Sequence, residues 1–75
     1  MTERRAFEDL ATNLHRLAFE RRLSLDAIAR AAGISVDRLH AILTGDFDPD
    51  LELVDRIAQA LGVTASELIA EPDYN

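Results

Sequence analysis

The side chains able to carry chemistry in this chain are eight arginines, fourteen carboxylates and two histidines, and there is neither lysine nor cysteine. Arginine presents a rigid fork of donors that suits phosphate, carboxylate or the edge of guanine. Exposed carboxylates do the opposite, repelling phosphate and attracting basic surfaces. Without cysteine there is no disulfide framework, no thiolate metal site and no cysteine nucleophile. No local spacing around His15 or His40 resembles a zinc or iron site, so no metal is expected. Ser24, Ser35 and Ser66 stand where helices should begin, with no histidine at a diagnostic distance and no nucleophile elbow. A glycine-rich phosphate loop is missing too. Neither an enzyme nor a cofactor is expected, and what remains is recognition by charge and apolar contact.

The charge is unevenly placed. The formal net charge is −6 over 75 residues, the wrong sign for casual attraction to phosphate or anionic lipid. Residues 1–22 hold five arginines against four acids, and residues 23–43 hold two of each. Residues 44–52 hold four acids and no base, while residues 53–75 set one arginine against four acids. A hydrophobic content of 48% is enough for a folded core. The length points to one domain, residues 1–70, followed by a fraying tail over 71–75 that contains Pro72. No apolar run approaches the roughly 18 residues of a membrane span, and the N-terminus lacks the apolar stretch of a secretory signal. A soluble, cytoplasmic protein is expected.

Five helices must position these groups. Phe7, Leu10, Ala11, Leu14, Leu17 and Ala18 recur at spacings of three and four, predicting a first helix from about residue 4 to residue 22 with Arg21 and Arg22 in its last turn. Ser24 caps a second helix with Ile28, Ala29 and Ala32 facing inward, and Gly33 stops it. Ser35 caps a third, anchored by Leu39 and Ile42 and ended by Gly45. Residues 44–52 read as a loop in which Asp50 caps a fourth helix, whose stripe is Leu51, Val54, Ile57, Ala58 and Leu61 and whose stop is Gly62. Thr64 and Glu67 match a capping box that opens a short fifth helix with Leu68 and Ile69.

This order of residues resembles the five-helix, phage-repressor type of helix-turn-helix domain, also called the Cro or XRE type. The resemblance covers residues 7–70. It rests on Leu23-Ser24, Ile28-Ala29, Ala32-Gly33-Ile34-Ser35, Leu39, Ile42, Gly45, Pro49, Leu51, the run from Arg56 to Val63, and Glu67-Leu68. It implies an all-α, compact bundle of the lambda-repressor kind. It also implies operator binding as a dimer, with the third helix in the major groove.

The surface departs from that pattern. Where the family usually places a glutamine after the serine of the second helix, this chain has Leu25. Where the family commonly places basic or amide residues after the third helix, it has Asp46, Asp48, Asp50 and Glu52. Leu25, Val36 and Phe47 are apolar on or near the would-be DNA face, and two arrangements are open: an exposed patch with Ala41, His40 and Leu43, ringed by Asp37, Asp46 and Asp48, or Phe47 folded under its loop and Leu43 packed on the fourth helix. The expected function is therefore a small acidic transcriptional regulator that binds a protein partner, such as a transcriptional activator that it would oppose. Leu25, Val36, Asp37, Arg38, His40, Asp46, Phe47 and Asp48 are its expected contact residues. The alternatives are an operator-binding repressor using Arg22, Arg30, Ser35, Arg38 and His40, or an antitoxin-like regulator that grips a toxin. A monomer or weak homodimer away from membranes is expected.

Overall fold

The computed structural model describes the backbone of residues 3–70 and the side chains of residues 9–70. The side chain of Phe7 and the tail over 71–75, both named above, lie outside these. Five helices follow in order: α1 (Glu3–Glu20), α2 (Leu25–Ala32), α3 (Val36–Thr44), α4 (Leu51–Leu61) and α5 (Ala65–Ile69), with no strand among the described residues. α4 packs along α2, α5 lies against both α1 and α4, and α3 touches α1 and α2. No helix is long and apolar enough to cross a membrane.

Each of the last four helices starts at a side chain that satisfies an orphan backbone N–H. The Ser24 hydroxyl accepts from Ala27 at 3.1 Å and that of Ser35 from Arg38 at 3.1 Å. The Asp50 carboxylate accepts from Leu53 at 2.9 Å. At α5 the box is reciprocal, with Thr64 Oγ1 accepting from the Glu67 N–H at 3.1 Å and Glu67 Oε1 accepting from the Thr64 N–H at 2.9 Å.

The stops are equally local. Gly33 adopts φ +78°, where a Cβ would crowd the following carbonyl, and this lets the chain reverse within two residues and enter α3. The end of α1 differs from expectation. The helix closes at Glu20, leaving Arg21 and Arg22 in the turn, because Arg22 itself takes the left-handed conformation at φ +57°. Its N–H reaches Phe19 O at 3.2 Å, and that of Leu23 reaches Ala18 O at 2.9 Å. This is the glycine-type stop built on an arginine.

The core is shared by all five helices. Leu14, Leu39, Ile57, Ala58 and Leu68 are fully buried, joined by Ile28, Ala29 and Ala32 on α2 and Leu61 on α4. Leu51, expected on the α4 stripe, is 80% exposed. As the first residue of α4, its side chain leans back beyond the helix start, where no element covers it. Ile69 is also exposed, so Leu68 is the one fully buried side chain of α5, with Ala65 half-buried beside the core. Asn13 is 1% exposed, and its Nδ2 donates to the carbonyls of Leu68 and Ala70, both at 2.7 Å.

Candidate interaction face

The two caps and the Gly33 turn place α3 so that its first turns carry Asp37, Arg38 and His40 to the surface, while Leu39 and Ile42 point into the core. Ser35 is exposed, but its oxygen is engaged by the Arg38 N–H as the cap. Val36 and Ala41 are half-buried.

The segment between α3 and α4 folds back on α3. Ala41 O accepts from the N–H groups of Asp46 at 2.8 Å and Phe47 at 3.1 Å, and from Thr44 Oγ1 at 3.2 Å. Thr44 Oγ1 also lies within hydrogen-bond distance of Asp46 Oδ2, at 3.3 Å. Pro49 is buried, so the loop is pinned at both ends while Asp46, Asp48 and Asp50 stay exposed. This geometry sets Phe47 beneath Arg38, whose guanidinium carbon stands 5.0 Å from the ring centroid. That spacing is a cation–π contact, about 0.5–1 kcal/mol at an exposed site.

Between the α2–α3 turn and this loop lies a cleft of about 330 Å³, lined by Ile34, Arg38, Phe47, Asp48, Glu52 and Arg56 among others. Arg56 Nη2 pairs with Glu52 Oε2 at 3.4 Å, one helical turn away. Of the two guanidinium groups lining this cleft, Arg56 is paired with a carboxylate, whereas Arg38 stacks on an aromatic ring that leaves its charge and its N–H donors free.

The expected contact residues come together only in part. Arg38, Phe47 and Asp48 line one cleft, and Asp37, His40 and Asp46 are exposed on the same helix or the loop after it. Leu25, Val36, Leu43 and Phe47 form no exposed apolar patch: all four are half-buried and pack against the core, the second of the two arrangements open for Phe47 and Leu43. Backbone hydrogen bonds to Ala41 draw the loop inward and take Phe47 with it. Arg30 is exposed at the end of α2 and Arg22 in the turn before it, separate from the cleft. His15 and His40 are exposed on different helices, and among the described residues no three His, Cys, Asp or Glu gather to hold a metal ion.

Two features escaped sequence reasoning. Asn13 sits among apolar positions with no local hint that its partners lie 55 and 57 residues away. Phe19 is 85% exposed, and its position off the Leu14–Leu17–Ala18 stripe was a usable signal.

Comparison with known proteins agrees with this architecture. Residues 9–70 match the family described as "Helix-turn-helix domain". A hypothetical transcription factor, NHTF from Neisseria, superposes with a TM-score of 0.83 at 26% identity, over 88% of this chain and 76% of that one. An HTH_3 family transcriptional regulator from Vibrio cholerae superposes at 0.76 with 33% identity, over 85% of this chain and 36% of that one. The chain thus spans little more than a third of the Vibrio protein. No protein of curated function matches it.

Proposed function

The chain belongs to the helix-turn-helix family of XRE-type transcription regulators, and from that premise we propose that its α3 face binds a protein partner in the cytoplasm rather than an operator. One observation carries this reading. Asp37 on α3, Asp46, Asp48 and Asp50 in the loop after it and Glu52 in the first turn of α4 are all exposed, and of the two nearby guanidinium groups Arg56 is paired with Glu52, which leaves Arg38, stacked on Phe47 with its charge intact, against the four remaining acids. A phosphate backbone approaching such a face meets several uncompensated negative charges at short range. Duplex binding draws most of its affinity from neutralised phosphates, which this face does not supply.

A basic protein surface gains from the same charges, and an acidic rim selects it against acidic competitors. A transcriptional activator held away from its site, or a toxin, fits that description.

Operator binding is the second reading. Arg38 favours it, exposed in the first turn of α3, where a guanidinium can take guanine bidentately. Ser35 and His40 lie beside it in sequence, and Arg22 and Arg30 would serve as phosphate contacts.

Charge reversal separates the two readings. The Asp46→Lys/Asp48→Lys variant should gain affinity for a mixed duplex pool, with a salt slope steeper by about 2, roughly one per new phosphate contact. Wild type should bind the pool negligibly in fluorescence anisotropy. Wild-type binding as tight as that of the variant would remove the basis for the protein-partner reading.

A further inference from the structure

We propose that Arg38 is the anchor of the protein-binding face, taking a carboxylate side chain that the partner presents among bases; this rests on the protein-partner reading above. The ion pairs of the described residues are Arg16–Glu20 and Arg56–Glu52, so Arg38 has no carboxylate partner among them. This is so although Asp48, Asp50 and Glu52 line the same cleft as Arg38.

The loop supplies the reason. Ala41 O and the buried Pro49 fix the segment that carries Phe47, and the guanidinium carbon of Arg38 rests 5.0 Å from the centroid of its ring. Stacking engages the flat face of the guanidinium and leaves the N–H donors, which lie in its plane, free at the edge. A fork already held by a ring loses little side-chain freedom when it takes a carboxylate bidentately. The cleft beside it, about 330 Å³, has room for the end of an acidic side chain.

The charge pattern selects what enters. Arg38 is one unpaired cation, with Asp37 next to it in sequence and Asp48 and Asp50 on the same cleft, all three exposed. Its complement is one acid among bases, which a basic protein segment can carry. A wholly acidic segment is repelled by these carboxylates, and so is a duplex, in which every phosphate repeats the same charge. A wholly basic segment satisfies the acids but sets like charge against Arg38.

Two acetylated and amidated heptapeptides test this, each with four arginines flanking a glycine-bracketed central residue, glutamate in one and glutamine in the other. Backbone amide shifts of the labelled chain at neutral pH and low salt give both affinities. The glutamate peptide should bind about tenfold more tightly, against its lower positive charge. Arg38→Gln should reverse that order, whereas Arg16→Gln, which makes the same change of net charge on α1, should keep it. Both side chains are exposed, and circular dichroism checks that each variant is folded. Equal or tighter binding of the glutamine peptide to wild type would overturn the anchor and leave the protein-partner reading standing, since bases alone would then suffice. A glutamate preference that survives Arg38→Gln, or that Arg16→Gln removes equally, would overturn it too. If neither peptide shifts the spectrum the anchor falls, and shifts from a mixed duplex pool in their place would remove the protein-partner reading as well.

Discussion

Arg22 holds a backbone conformation that Gly33, Gly45 and Gly62 hold at the other helix ends, with φ +57° against +78°, +86° and +78°. An L-residue there costs about 1–2 kcal/mol, partly offset because glycine loses more chain entropy on folding. Arg22→Gly should therefore raise stability by about 0.5–1 kcal/mol, read as a higher urea midpoint at unchanged slope. An unchanged or lowered midpoint would mean that the arginine side chain contributes more than its backbone strain costs. No residue pattern marks this stop. The three glycines were legible because glycine advertises the conformation, whereas an arginine in it looks like the last turn of a helix. For Phe47 the sequence leaves exposure and burial under its loop both open, because the outcome depends on where Ala41 O sits, and that is a product of the finished loop.

At the scale of elements, the sequence was most readable where the cause is local. Ser24, Ser35, Asp50 and Thr64 all cap the helices expected of them, because a cap and the N–H it accepts from lie three residues apart. Leu51 shows the limit, since a spacing of three and four identifies a stripe without saying where the neighbouring helix stops covering it. The five residues of α5 are too few to stand as an isolated helix. The capping box, Leu68 and the Asn13 amide hold them, and Asn13 supplies donors to two carbonyls at the end of the helix. Asn13→Leu keeps the side chain's approximate size and removes those donors. It should cost about 1–3 kcal/mol, with amide exchange accelerated at Leu68 and Ile69 before the rest of the fold. Uniformly accelerated exchange would show that Asn13 supports the bundle as a whole rather than α5.

On the scale of the whole molecule, charge sorts along α4, with Asp46, Asp48, Asp50 and Glu52 at or before its start and the Arg21 side chain beside its end. The acidic loop could be counted directly in the sequence. That it lies beside the exposed residues of α3 required the bundle. We propose that the α3 face of this helix-turn-helix scaffold is unsuited to duplex and suited to a basic protein. Backbone amide shifts of the labelled chain, followed while a mixed duplex pool is added at low salt, distinguish the two. An intact spectrum with no shifts over residues 25–47, even at millimolar duplex, is expected. Shifts confined to residues 25–47 and abolished steeply by salt would contradict it and make α3 a groove-reading helix.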